Sequence, residues 1–228
     1  MTAKKNPAAV KNKKQLLIVD DHPMMREGLA QLINHEPGLA VCGEAGNFRE
    51  ALELIGTFKP DLVLADISLP DKSGLELIKD IQALHAGVPV LVISMHDESL
   101  HAERVLRAGG RGYIMKQEGG KKIMEAIQQV LAGQIYVSEK MSVRILETFS
   151  GHGSRTNRST IENLTDREFE VFQLIGHGKG TREIAERLHL SIKTVDAHRA
   201  HIKEKLNLKD ATELVRHAVR WVETQDPS

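Results

Sequence analysis

Cysteine is nearly absent. Among 228 residues only Cys42 carries a thiol, which excludes an internal disulfide and a zinc site built from several cysteines. No uncharged apolar run approaches the ~18–20 residues of a membrane span; the best, Val88 to Met95, is strand-sized. The lysines near the N-terminus have no apolar stretch behind them, so no signal peptide is expected. Aromatic residues make up only 4%. Net charge is absent too, with 31 basic against 31 acidic side chains. A soluble, cytoplasmic protein is expected.

What is present is enough for two small domains: 41% apolar and 27% charged residues can build ordinary cores. The zero charge hides a division. Residues 1–14 carry five lysines and no acid, residues 15–150 carry 13 basic and 19 acidic groups, and residues 151–228 carry 13 and 12. The acidic segment points to phosphoryl or metal chemistry more than to a nucleic-acid surface. Bulk charge does not mark the C-terminal segment as a DNA binder, so pattern must decide.

Between residues 15 and 133, five short apolar runs alternate with amphipathic stretches. The runs Leu16–Val19, Leu39–Val41, Leu62–Ala65, Val88–Ile93 and Gly112–Met115 lack polar alternation, as strands buried on both faces of a parallel sheet do. The stretches Met24–Asn34, Phe48–Thr57, Gly74–His85, Asp97–Ala108 and Gly120–Leu131 read as helices, the second opened by a capping box of Asn47 with Glu50. Five βα repeats predict one doubly wound α/β domain. A short amphipathic helix over Ser138–Phe149 and the aliphatic-free stretch 151–160 make residues 134–162 a linker. Residues 1–14 read as a basic disordered tail, and Cys42 as a small core residue.

In an open α/β sheet ligands bind beyond the carboxyl ends of the strands. There stand Asp20 and Asp21 after strand one, Asp66 after strand three, Ser94 at the end of strand four and Lys116 after strand five. Three carboxylates repel unless a cation intervenes, and an all-oxygen set suits Mg²⁺. One carboxylate could then attack phosphorus, with lysine, metal and the serine hydroxyl stabilising the phosphoryl oxygens. Each residue alone has a plainer reading. Asp20 and Asp21 before His22-Pro23 could cap a helix, Asp66 could open a turn, and Ser94, Lys116 and Tyr113 could be ordinary strand-end residues.

Asp20-Asp21, Asp66-Ile-Ser-Leu-Pro70-Asp-Lys-Ser-Gly74, Ser94 and Gly112-Tyr-Ile-Met-Lys116 together resemble the receiver domain of bacterial two-component response regulators, over residues 15–133. The resemblance implies a flavodoxin-like (βα)5 fold with Asp66 as phosphoacceptor. It implies Mg²⁺ held by Asp20, Asp21, Asp66 and the Ser68 backbone carbonyl, a switch pair of Ser94 and Tyr113, and phosphate contact by Lys116. Met95 stands where the family usually has a small residue, which would narrow the route to Asp66 for small phosphodonors. His96 and Ser68 stand where the family tunes loss of the phosphoryl group; His96 could orient a water there, and a simply solvated side chain is the better reading.

From Leu164 onward the chain reads as four helices. Thr165 and Glu168 form a capping box, Gly176-His-Gly178 stops the first helix, Thr181 caps a second, Ser191 a third, and Asp210 begins a fourth. A short helix, a tight turn and a longer helix make a helix-turn-helix. On the third helix Val195, Ile202 and Leu206 form a core face, opposite Lys193, Ala197, Ala200 and Glu204. Ala197 and Ala200 suit close approach to base edges; Asp196 could accept from a cytosine amino group; Thr194, Arg199, Lys203 and Lys205 suit phosphates. His198 and His201 lack a third metal ligand, so phosphate contact or packing is the better reading. A protein-contact module would show the same periodicity.

Leu164-Thr-Asp-Arg-Glu168, Glu183-Ile-Ala185 and Ser191-Ile-Lys-Thr-Val-Asp-Ala-His198 resemble the LuxR-type helix-turn-helix over residues 163–222, within an expected domain of residues 163–228. The two halves together resemble the NarL/FixJ class. That implies a sensor histidine kinase and double-stranded promoter DNA as partners, a homodimer through the fourth helix, and an unphosphorylated receiver that masks the recognition helix. Leu214, Val215, Ala218, Val219, Trp221 and Val222 exceed what one core face of the fourth helix needs, in line with such pairing. A transcription regulator rather than an enzyme is expected. A haloacid-dehalogenase-type phosphatase would need Asp-x-Asp after the first strand, where Asp20-Asp21 stand adjacent. RNA is disfavoured because the third helix has no aromatic residue to stack on bases. A module indifferent to phosphorylation remains a rival.

Overall fold

The computed structural model describes residues 13–225 except 71, 96, 150–160, 162 and 189. The 151–160 stretch, most of the basic tail, Asp71 and His96 therefore lie outside the described residues. β1 (Lys14–Val19), β2 (Leu39–Ala45), β3 (Leu62–Ala65), β4 (Val90–Ser94) and β5 (Gly112–Met115) form one parallel sheet in the order β2-β1-β3-β4-β5. Between them run α1 (Pro23–His35), α2 (Phe48–Phe58), α3 (Gly74–Leu84) and α4 (Glu98–Arg107), with α5 (Gly120–Leu131) after β5. Both faces are buried, which is why the strands carry no polar alternation. Leu17, Val19, Val63 and Val92 face a core shared with α2, α3 and α4, while Leu16, Ile18, Leu64 and Leu91 face one shared with α1 and α5.

Three local readings change. Lys14 belongs to β1, not to the tail; its ammonium pairs with Asp61 at 2.7 Å. β2 runs four residues beyond its apolar start, because it pairs with β1 out to Ala45 across a register skip between Leu16 and Leu17. That skip leaves Cys42 opposite no residue of β1, half-buried, with its Sγ donating to the Leu16 carbonyl at 3.3 Å. Asn47 does cap α2 through the Glu50 amide, but the Glu50 carboxylate takes the Gly46 amide instead of the Asn47 amide.

The helix α6 (Glu139–Phe149) is docked on the receiver: Met141 is buried in its core and the Ser138 amide donates to Glu98 Oε1 at 2.7 Å. The C-terminal domain is α7 (Asp166–Gly176), α8 (Thr181–Arg187), α9 (Ile192–Lys205) and α10 (Ala211–Gln225) around Phe169, Phe172, Ile184, Val195, Ile202 and Leu214. The Thr165–Glu168 capping box has both of its hydrogen bonds, and Ser191 Oγ accepts the Thr194 amide at 3.0 Å. Thr181 is the first helical residue rather than the cap; Glu183 Oε2 takes the Gly180 amide there.

α7 lies against the receiver. Arg104 of α4 donates to the carbonyls of Ile161 and Leu164 at 3.0 and 3.1 Å and to Asp166 at 3.3 Å, and its guanidinium sits 3.9 Å from the centre of the Phe169 ring. Lys79 of α3 pairs with Asp166 at 3.2 Å. His101, 1% exposed, stacks parallel to Tyr113 at 6.4 Å and edge-on to Phe169 at 5.7 Å.

Candidate functional site

The strand ends converge as the sequence suggests. Lys116, at the start of a 3₁₀ turn after β5, places its Nζ 2.6 Å from both Asp20 Oδ2 and Asp66 Oδ2. All three side chains are buried. Burial lowers the Lys116 affinity for its proton, but the charge on Asp66 and the bonds to both carboxylates outweigh it and hold the ammonium above its ordinary value. Burial raises Asp66, against the pull of Lys116, and the nearby Asp20 adds to the rise. Asp66 is thus a desolvated carboxylate paired with one lysine.

Asp21, less buried, faces His22, whose Nδ1 lies 2.7 Å from Asp21 Oδ1 and 3.2 Å from Asp20 Oδ1. Ligand atoms of Asp20, Asp21, His22 and Asp66 all lie within 4.8 Å of one another. Three carboxylates around one point fit a hard divalent cation such as Mg²⁺. Ser68 sits on the same rim, its amide donating to Asp66 Oδ1 at 3.3 Å. The helix-cap reading of the Asp pair is answered by geometry: His22 occupies the N-cap of α1 with no side-chain cap bond, and Asp20 Oδ1 accepts the His22 amide at 2.9 Å.

The loop that follows Asp66 depends on one glycine. A Cβ on Gly74, the first residue of α3, would lie 2.3 Å from the Asp66 carbonyl oxygen and 2.8 Å from the Ile67 Cα. The Gly74 amide donates to the Ile67 carbonyl at 2.8 Å, so the helix start is drawn tightly against the Asp66–Ile67 backbone.

Ser94 and Tyr113 are fully buried and their hydroxyls are hydrogen-bonded; burial holds the Tyr113 phenol far above its ordinary value. A cavity of about 220 Å³ opens over Asp66, Ser94 and Lys116. Its walls are not only receiver residues: Arg167, Leu174, Arg187 and Leu188 of α7 and the α8 region line it too. Met95 is 65% exposed at this mouth, so the C-terminal domain, more than Met95, restricts the route to Asp66. Sequence reasoning missed Arg167, Arg187 and His22; no signal along the chain joins Arg167 to a site a hundred residues away.

The recognition helix is not masked. Lys193, Thr194, Asp196, Ala197, Ala200 and His201 are exposed, and Ile192 is 47% exposed at the helix start, while Val195 and Ile202 are buried as the core face. What α7 and the α8 region help to line is the cavity over Asp66. Arg199 and Lys203 are half-buried, and Arg199 donates to Thr181 Oγ1 at 3.4 Å. Lys205 is tied to Glu168 at 2.6 Å. His198 is half-buried, and burial lowers its affinity for a proton.

The apolar surplus of α10 also has an internal destination. Trp221 packs on Phe169 and Phe172 at 5.4 and 5.7 Å, and Val222 and Ala218 close over Gly176. Of the six apolar side chains, Val215, 39% exposed, is the most open to solvent.

The response regulator receiver domain family matches residues 16–128, and the luxR family of bacterial regulatory proteins matches residues 162–218. The oxygen regulatory protein NreC of Staphylococcus carnosus is 33% identical over 210 residues, 90% of this chain and 97% of that protein. A two-component response regulator of the LuxR family from Aurantimonas sp. SI85-9A1 is similar at 33% identity and a TM-score of 0.57, over 61% of this chain and 99% of that one. A structure of two RcsB dimers bound to two parallel DNAs is similar at 25% identity and a TM-score of 0.56, over 91% of this chain and 98% of that one.

Proposed function

Because the chain belongs to the two-component response regulators that join a receiver to a LuxR-type helix-turn-helix, we propose that Asp66 accepts a phosphoryl group from a sensor histidine kinase and thereby controls promoter binding. The observation that carries this is Asp66 buried at 5% exposure, held 2.6 Å from Lys116 beneath a cavity, with two further carboxylates beside it. The Asp66 carboxylate attacks phosphorus, the P–N bond to the donor imidazole breaks, and its electron pair returns to the ring nitrogen. Asp20, Asp21 and Asp66 with the Ser68 carbonyl would hold Mg²⁺, which supplies charge neutralisation at the phosphoryl oxygens when bound. Lys116 balances the remaining charge, and Ser94 offers its hydroxyl to a phosphoryl oxygen, giving up Tyr113 as partner.

The division proposed is a basic tail over 1–14 (less Lys14), a receiver over 15–133, a linker over 134–162 and a DNA-binding domain over 163–228. Ala197, Ala200 and Asp196 read base edges on this proposal, with Lys193, Thr194, Arg199, His201 and Lys203 toward phosphates; the exposed N-terminal face of α9 supports it. Residue pairing through α10 would place two such helices on an inverted repeat, as a homodimer. No described helix is long and apolar enough to cross a membrane.

The test is intact mass after acetyl phosphate with Mg²⁺, beside an Asp66→Ala variant and a metal-free control. One metal-dependent phosphoryl adduct, absent in the variant, is expected. No adduct with acetyl phosphate, phosphoramidate or a phosphorylated kinase would overturn the reading and leave the receiver a scaffold for a DNA-binding domain.

A further inference from the structure

Ile192 is the first residue of α9 and is 47% exposed, a large apolar side chain open to solvent. The core of the C-terminal domain does not use it. Val195 and Ile202 bury the inner face of α9, and the half-buried apolar residues packed on that core are Leu174, Leu190, Leu208 and Trp221. The backbone that carries Ile192 is nonetheless well held. Ser191 Oγ accepts the Thr194 amide at 3.0 Å and lies 2.7 Å from the Thr194 hydroxyl, so the cap sets the direction in which the first turn projects its side chains.

On an α-helix, residues four apart form one row. Ile192, Asp196 and Ala200 are such a row, and all three are exposed. Asp196 and Ala200 are proposed above to read base edges. Ile192 extends their row by one turn toward the N-terminus, the end that a recognition helix presents to the bases. The chemistry available there is narrow. A branched alkyl group neither donates nor accepts a hydrogen bond, so phosphates and polar base edges give it no favourable contact. The apolar group that the major groove does display is the C5 methyl of thymine.

We propose that Ile192 is a specificity-determining contact that reads a thymine methyl group in each half-site. The inference rests on α9 being the element that reads DNA. Four residues advance a helix by ~6 Å, and base pairs stack ~3.4 Å apart. The thymine met by Ile192 therefore stands about two base pairs from the cytosine whose amino group donates to Asp196. Burying one methyl-sized group strengthens binding about fourfold. Such a contact releases no counterion, so it leaves the salt dependence of binding unchanged, unlike a lysine or arginine on a phosphate.

In the experiment the full chain selects a duplex from a random pool. Thymines of the selected site are then replaced one at a time by uracil, which lacks only the C5 methyl. Affinities are read by anisotropy of the labelled duplex over a range of salt. For the wild type, uracil at one thymine per half-site, about two base pairs from a C·G pair, should weaken binding about fourfold. Ile192→Ala should bind the all-thymine duplex at least about fourfold more weakly, respond less than about 1.5-fold to that uracil, and keep the wild-type salt slope. Ile192→Val, which trims one carbon, should fall between the two. Urea midpoints of the three proteins should agree, because Ile192 lies outside the core. An Ile192→Ala protein with the wild-type response to every uracil would overturn the contact, as would a selected site with no thymine near a C·G pair. A changed salt slope or a lowered midpoint would also overturn it, by making Ile192 a support for a phosphate contact or for the fold. A wild type that prefers no duplex over random DNA would instead bring down the reading of α9, and that failure shows at the selection step, before any variant is compared.

Discussion

At the scale of single residues, the molecule concentrates its electrostatic cost in two buried places. One is the Asp20–Lys116–Asp66 cluster, where two carboxylates share one ammonium at 2.6 Å each. Replacing Lys116 by Met leaves two buried charges with no protein cation between them. Breaking such a cluster costs about 3–5 kcal/mol. In chelator, Lys116→Met should therefore lower stability by about that amount, measured by urea unfolding. Magnesium should restore more stability to the variant than it adds to the wild type, because a ligand that binds only the folded state stabilises by mass action and here also replaces the lost charge. An equal magnesium increment in both proteins would contradict the shared acidic site. The other costly place is Glu170, 4% exposed, whose one ion pair among the described residues is with Arg167.

At the scale of elements, what was legible along the chain and what was not divide on locality. β3, β5 and α5 stand where the apolar runs put them, because a strand buried on both faces and a helix with a single apolar stripe each announce themselves within a dozen residues. β2 was read short, since Gly43 and Glu44 interrupt its apolar run and only pairing with β1 continues the strand. Asp20, Asp66, Ser94 and Lys116 were legible as strand-end residues of one sheet, whereas Arg167 and Arg187 enter the same cavity by domain docking, which leaves no local pattern. The start of α3 is the element most sensitive to a small change. Gly74→Ala must move the Asp66 carbonyl or the helix, since the new Cβ would sit 2.3 Å from that oxygen. A cost of about 1–3 kcal/mol is expected for such overpacking. Adduct formation with phosphoramidate should slow at least about tenfold, the size of a barrier change of 1.36 kcal/mol. Unfolding midpoints and mass time courses would check both, and a variant phosphorylated at the wild-type rate would remove Gly74 from the list of residues that place the acceptor.

At the scale of the whole molecule, the docked C-terminal domain supplies part of the wall of the cavity over Asp66 while leaving the outward face of α9 exposed. On the proposal that Asp66 is phosphorylated, control would run through docking itself and not through a cover over the residues proposed to read DNA. If charge on Asp66 and DNA each favour the undocked arrangement, they are coupled through one equilibrium, and the coupling is reciprocal. Beryllofluoride, which mimics the phosphoryl group, should tighten binding to a duplex selected from a random pool by some factor, typically about 5–150-fold for such couplings. The same duplex must then tighten beryllofluoride binding by that same factor. The only tryptophan, Trp221, rests on Phe169 at the edge of the docking surface, so its fluorescence offers a readout within the protein's own sequence. Beryllofluoride titrations with and without the duplex, at fixed magnesium and salt, should differ by the factor found in the DNA titrations. Coincident curves would mean that receiver and DNA-binding domain act independently, because two ligands that bias a common equilibrium cannot leave each other's affinity unchanged.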